Sequence, residues 1–322
     1  MKQKYDVTAI GELLIDFTMN GTSEQGNPVF EANPGGAPCN VLAILKKYGK
    51  EAAFIGKVGD DQFGKMLKET LEEVGIDTEG LLMDRDTHTT LAFVHTAPDG
   101  DRSFSFYRKP GADMMLTKDE INYELIDRAD IVHFGTVSMT DEPSREATKA
   151  AVIYGKEHGK LISFDPNLRP PLWKSLDEAR AEIAWGLEQA DIVKIADNEI
   201  EFMTGEKAMD RAIDKLRAMY PVKLLLVTLG RDGSVAVYKD EKVFVPGFIQ
   251  ENTIETTGAG DTFGGSVLAY MTEHDIDALT KEQLEEMLTL ANAGASLITT
   301  RKGALRVMPE KDEILALASK EI

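Results

Sequence analysis

Glu255-Thr256-Thr257-Gly258-Ala259-Gly260-Asp261-Thr262-Phe263-Gly264-Gly265-Ser266 sets glycines and a carboxylate where an amphipathic run, residues 263–271, begins. The pattern predicts a helix N-terminus open to an anion. Free backbone N–H groups and the positive end of the helix dipole face the space over Gly258, Ala259 and Gly260, and the missing side chains let a negative group come close. Asp261 would repel a phosphate, so it is a poor phosphate ligand. Its chemical use is to take a proton from a hydroxyl attacking phosphorus, while the amides hold the charge that spreads over the transferring group. The plain alternative is an ordinary N-cap aspartate behind a glycine turn. A dinucleotide fingerprint is excluded, because G-x-G-x-x-G needs glycine where Phe263 stands.

Working outward, 322 residues with 43% hydrophobic content suffice for a sizeable core, and the chain is read as a single domain spanning 1–322. A formal net charge of -19 excludes nucleic acid and anionic membrane as partners, since both need a basic face. The first residues mix Lys2, Lys4, Asp6, Glu12 and Asp16 into a short apolar run, and no uninterrupted apolar stretch of about 18 residues exists. The expected location is therefore cytoplasmic. One cysteine, Cys39, excludes an intramolecular disulfide and reads as a buried filler. The five histidines lack metal-ligand spacing, and His133 reads as a core residue.

Short apolar runs at 7–10, 53–58, 131–134, 161–164, 192–194 and 224–228 alternate with helical runs at 40–48, 63–74, 144–157, 179–189 and 209–219. This is βαβ logic. It predicts a doubly wound α/β/α sandwich on a mostly parallel sheet. Two segments break the pattern: residues 12–19 with 29–32, and 91–96 with 102–107, alternate like half-exposed strands, the second pair joined by the turn-like Pro98-Asp99-Gly100. They predict a small accessory sheet from about 12–32 and 89–109. Gly59-Asp60-Asp61-Gln62-Phe63-Gly64-Lys65-Met66 satisfies G-x-x-x-x-G-K but fails as a P-loop. Met66 replaces the Mg²⁺-binding hydroxyl, and the two aspartates would push phosphate away.

Thr256-Thr257-Gly258-Ala259-Gly260-Asp261-Thr262-Phe263 resembles the C-terminal signature of the PfkB (ribokinase-like) carbohydrate kinases. Gly35-Gly36-Ala37-Pro38-Cys39-Asn40, together with the segment 56–64, is similar to that family's N-terminal signature. The resemblance covers essentially the whole chain. It implies a ribokinase-like sandwich with a β-sheet lid that often forms a dimer contact, Asp261 as base, and an anion hole at Gly258, Ala259 and Gly260. It places Asp16, Gly35, Gly36 and Asn40 on the sugar; Lys is absent at Ala37, a departure from the ribokinase subgroup.

The segments 103–113 and 163–173 resemble the fructokinase subgroup. They add Tyr107, Arg108, Asn167 and Arg169, the two arginines being cations for the sugar or the triphosphate. On the nucleotide side the resemblance implies ATP at Lys194, Asn198, Thr228, Gly230, Gly233, Gly258, Gly260, Asn292 and Ala295, with Asn292, Ala295 and Ser296 flanking an adenine. Asn198-Glu199-Ile200-Glu201 resembles N-x-x-E and assigns Glu201 to Mg²⁺ through water. Glu255 stands where the family usually has an Asp that helps hold K⁺, and Arg301 or Lys302 could substitute for that ion. The resulting expectation is ATP-dependent phosphorylation of the 6-hydroxyl of D-fructose. 2-Keto-3-deoxygluconate kinase, ribokinase and a sugar sensor without turnover remain open.

Overall fold

The structure is a computed structural model that describes residues 3–96 and 102–320. The first half runs β1 (Tyr5–Ile10), β2 (Leu14–Thr22), β3 (Pro28–Gly35), α1 (Ala37–Lys47), β4 (Ala52–Gly59), α2 (Gln62–Glu73), β5 (Asp77–Asp84), β6 (Leu91–Thr96) and β7 (Arg102–Tyr107). Next come α3 (Tyr123–Asp127), β8 (Ala129–Gly135), α4 (Ser144–Glu157), β9 (Leu161–Asp165), α5 (Leu176–Gln189), β10 (Ile192–Ala196), α6 (Asp197–Thr204) and α7 (Met209–Met219). The chain finishes with β11 (Leu224–Thr228), β12 (Gly233–Tyr238), β13 (Glu241–Pro246), α8 (Ala259–Met271), α9 (Lys281–Ile298) and α10 (Lys311–Ala318).

Nine strands form one sheet in the order β13-β12-β11-β10-β9-β8-β1-β4-β5. From β5 to β11 the neighbours are parallel; β12 and β13 close that edge as an antiparallel hairpin. The central strands are apolar on both faces because helices cover both. One core packs α1, α2, α8, α9 and α10 against the sheet, and the other packs α3 to α7. The crossovers from β1 to β4 and β5 run through α1 and α2 on the first face, and those from β8 to β11 through α4 to α7 on the second. The strand order therefore reverses between β1 and β8, where ligands of open α/β sheets bind beyond the strand ends.

The second sheet has four strands in the order β3-β2-β6-β7, with β2 parallel to β6. Its pairing of Asp16 with Asn33 and of Phe17 with Ala32 matches the accessory sheet expected from alternation. One face carries Asp16 and Asn33. The other carries the stacked rings of Phe17 and Phe93, 4.8 Å apart, with Phe63 of α2 edge-on to Phe17. The turn expected at Pro98-Asp99-Gly100 lies outside the described residues.

The segment resembling a P-loop is a strand-to-helix turn. Asp61 caps α2 by accepting from the Gly64 N–H, and it also takes the Thr89 N–H, so its carboxylate fastens the body to the start of a lid strand. Cys39 is buried in the core. His133 hydrogen-bonds Ser163 at 3.0 Å, and burial holds its imidazole down at about 3. No described helix is long and apolar enough to cross a membrane.

Candidate functional site

Gly258, in the left-handed region at φ 76, is the N-cap of α8 and has no side-chain cap. The first intrahelical bond runs from the Thr262 N–H to the Gly258 carbonyl. With glycine at the cap, no side chain of the cap residue takes up the first amides of the helix.

Asp261 sits in this first turn, and its Oδ2 accepts from Asn40 Nδ2 at 2.8 Å, joining α8 to α1. Burial raises the Asp261 carboxyl above the ordinary range. The Asn40 bond, Lys194 and Arg169 pull it back.

Lys194, from β10, places its Nζ 3.1 and 3.2 Å from the two oxygens of Asp165 at the end of β9. A Cβ on Gly260 would lie 3.0 Å from that nitrogen, so the ammonium stands against the open amides. Burial pulls Lys194 down, but Asp165, Glu199 and Asp261 outweigh it and hold the group above its usual value. Burial likewise pushes Asp165 up to about 6, against the attraction of Lys194.

Glu199 completes this cluster: its Oε1 takes the Leu168 N–H at 2.7 Å and its Oε2 the Ala196 N–H at 2.8 Å. That grip, with the Asn167 N–H on Asp165, shapes the loop carrying Asn167 (φ 47) and Arg169. Here the structure corrects the expectation for the acidic motif. Glu199 is the carboxylate turned inward, whereas Asn198 and Glu201 are exposed.

On the lid, Asp16 faces Gly35 so closely that a Cβ there would come 2.6 Å from Asp16 Oδ2. Burial pushes Asp16 up to about 7. Arg169 opposes this, while Asp261 and Glu255 add to it, so the carboxylates of lid and body share one electrostatic neighbourhood. Asp16 also lines a cavity of about 30 Å³ with Thr18, Asn33, Glu255, Thr257 and Gly303. Asn33, which donates to Thr18 at 2.8 Å, was missed by sequence reading; its register opposite Asp16 is the signal that finds it.

Arg108 is a second correction, because its guanidinium is consumed by the fold. Nε pairs with Asp113 at 2.7 Å, Nη1 donates to Thr140 and Nη2 to the Val137 carbonyl, with the side chain 3% exposed. It anchors the end of β7 to the body. Tyr107 is 67% exposed and lines an open groove with Phe63 and Phe106.

On the side where the nucleotide was expected lies a cavity of about 470 Å³, within the usual range for small-molecule sites. Thr228, Gly230, Gly233, Gly260, Asn292 and Ala295 line it, while Ala259, Phe248, Ile249 and Gln250 were not foreseen there. Lys194, Asn198 and Gly258 lie outside this lining, Lys194 standing beside Gly260 at its edge. Asn292 does not offer its amide to a base. Its Oδ1 accepts from Ser234, and its Nδ2 donates to the carbonyls of Val245 and Pro246, which fixes the exit of β13. Ser296 similarly holds the Phe248 carbonyl.

Glu255 accepts from the Gly303 N–H at 2.8 Å. The cations expected to stand in beside it are engaged elsewhere. Arg301 binds the Val307 and Met308 carbonyls and Glu313, and Lys302 binds Asn20.

An anion-binding helix start, a carboxylate beside it, an abutting ammonium and a lid bearing a polar face define a phosphoryl-transfer site for a small hydroxylated substrate. The chain belongs to the pfkB family of carbohydrate kinases, whose pattern it matches over residues 4–311. It is 43% identical over 316 residues to fructokinase-1 of Zea mays, covering 98% of each chain. Among solved structures it is similar to a fructokinase double mutant of Vibrio cholerae O395 in a fructose-, ADP- and potassium-bound form. That match has a TM-score of 0.88 and 29% identity, and covers 99% of this chain and 100% of that one. It is equally similar to the fructokinase of Xylella fastidiosa with bound ATP, with a TM-score of 0.88 and 31% identity over 97% and 98% of the two chains.

Proposed function

We propose that this protein is an ATP-dependent fructokinase that transfers the γ-phosphoryl group of ATP to the 6-hydroxyl of D-fructose. The Asn40–Asp261 hydrogen bond at the open start of α8 carries the reading, because it sets a sugar-side amide, a base and the anion-holding amides at one point. Asp261 takes the proton of the 6-hydroxyl as that oxygen attacks phosphorus. Burial makes the carboxylate more basic, while the Asn40 bond favours its charged form. The amides around Gly258, Ala259 and Gly260 and the Lys194 ammonium hold the charge of the transferring group. Asp16 accepts from a sugar hydroxyl in the space that Gly35 leaves.

Asp165 and Glu199 are already engaged by Lys194 and by backbone amides, and the described residues hold no group of three potential metal ligands. The donor set therefore suits Mg²⁺ carried in by the nucleotide and touched through water, with Glu199 in place of Glu201. When bound, that ion neutralises charge on the β- and γ-phosphates. Glu255 and the small cavity beside it are the proposed place for K⁺.

An acid sugar such as 2-keto-3-deoxygluconate would call on Arg108 or Arg169, and Arg108 is already spent on Asp113. With Arg169 alone left for an acid group, the likeness to fructokinases favours a neutral ketose. A cytoplasmic enzyme that pairs through the aromatic face of its lid completes the proposal; the molar mass in solution tests the pairing. A coupled ADP-release assay over fructose, ribose and 2-keto-3-deoxygluconate tests the substrate. Fructose is expected to give the highest kcat/KM; a preference for the acid sugar overturns the assignment, and no turnover on any sugar favours a sensor.

A further inference from the structure

We propose that Glu12 is a positioning residue for the base, acting through the first turn of α1; the idea rests on the kinase reading above. Glu12 follows β1 and is 4% exposed. α1 begins at Gly36 with no side-chain cap of its own. Glu12 supplies one from 25 positions earlier in the chain, its Oε1 accepting from the Ala37 N–H at 3.0 Å. A carboxylate at the positive end of a helix dipole, taking an orphan amide, is favourable on both counts.

The peptide unit between Gly36 and Ala37 is thereby held from two sides. Its N–H goes to Glu12, and its carbonyl accepts from the Asn40 N–H at 2.9 Å. Contact reinforces this, since a Cβ on Gly36 would come 2.5 Å from the Glu12 carbonyl oxygen, leaving no slack between the β1 exit and α1. Asn40 in turn points its Nδ2 at Asp261, while its Oδ1 is buried with no partner among the described residues. The side chain thus makes one protein bond, and its aim depends on where the backbone of this turn is set. Glu12 sets it. The buried charges facing Glu12 are Arg108, which favours its carboxylate, and Asp113, which opposes it, beside the burial that pushes it up to about 7.

Coupled ADP-release kinetics with fructose and MgATP test this on the full-length wild type, Glu12→Ala, Glu12→Gln, Asn40→Ala and the Glu12→Ala/Asn40→Ala double variant. Glu12→Ala is expected to lower kcat about tenfold, the worth of one buried hydrogen bond. Glu12→Gln keeps an acceptor for Ala37 and is expected to recover most of that loss. In the Asn40→Ala background, Glu12→Ala is expected to cost less than about twofold, because the effect runs through Asn40. Ala37→Pro deletes the same bond from the donor side at a first helical position that accepts proline, so the comparison stands even where Glu12→Ala fails to fold. It is expected to show the same loss and the same non-additivity, with the ATP dissociation constant unmoved. Losses that multiply in the double variants, or a lower Tm with kcat per folded molecule unchanged, would overturn the proposal. Wild-type turnover on fructose bears on the kinase reading; the ratios between variants bear on Glu12.

Discussion

Two helix starts meet at this site, both introduced by glycine, and the protein finishes them in opposite ways. At α8 the N-cap Gly258 offers no side chain and the following amides stay open. At α1 the N-cap Gly36 offers none either, but Glu12 reaches across and occupies the Ala37 amide. The helices pack closely: a Cβ on Gly265 of α8 would lie 2.6 Å from the Val41 carbonyl of α1. Two open positive ends side by side would each draw an anion. Closing one with an internal carboxylate leaves a single helix start free to draw an anion.

The sharpest way to break this comparison is Asp261→Asn, which keeps shape and removes the base at the open end. A kcat loss of about 10²–10⁴ is expected, with ATP affinity nearly unchanged by calorimetry. Retention of more than half the wild-type rate would make Asp261 a mere cap and the two helix starts alike.

Gly35→Ala perturbs the sugar side alone. The new Cβ meets Asp16 Oδ2 at 2.6 Å and displaces a short side chain, so the fructose KM is expected to rise about tenfold with little change in Tm. A rise in the ATP KM of the same size would mean that lid and phosphate end are not separable.

Asp16 links pH to both affinity and stability. With its folded value near 7 against an ordinary value of 3.8, the folded protein binds more protons than the unfolded chain between those limits, so this group's contribution to stability falls as pH rises through 7. The same rise produces the carboxylate that accepts from sugar. Fructose kcat/KM is therefore expected to fall below pH 7, and Asp16→Asn to abolish that limb. The same variant is expected to raise Tm at pH 8 more than at pH 4, by on the order of 2 °C. Equal Tm changes at the two pH values would contradict the assignment.

The smallest effect belongs to Glu255. Its bond to Gly303 leaves one carboxylate oxygen for a cation, so K⁺ is expected to activate weakly, within about twofold of Na⁺, and Glu255→Asp to activate more. Strong activation of the wild type, unchanged in the variant, would show that the added methylene is without consequence.

The open helix start was legible because glycine and aspartate leave few other uses for such a loop, and the parallel strands because burial on both faces erases polar residues. What escaped depends on partners that are distant or directionally set. Glu199 and Glu201 are two residues apart on α6, and only the helix start at Asp197 puts the former in the inward, capping position. Arg108 reads as a free lid cation until Asp113, five residues on, is seen to claim it. Asn292 sits on the expected face of α9, yet the antiparallel β12–β13 hairpin, unmarked by any strong alternation, absorbs its amide. Glu12 looked like one more acid in an amphipathic start, because its amide partner lies 25 residues later.

The Asn40–Asp261 bond joins positions 221 residues apart. Synthesis at about 5–20 residues per second separates the emergence of the two side chains by roughly 11–44 s, during which β1, the lid and α1 exist without the helix that α1 packs against. Glu12, Gly36 and Asn40 can settle in that interval, since they are neighbours in the early chain; the base cannot meet them until the sheet has closed through β13. Turnover is therefore a reporter of completed long-range assembly.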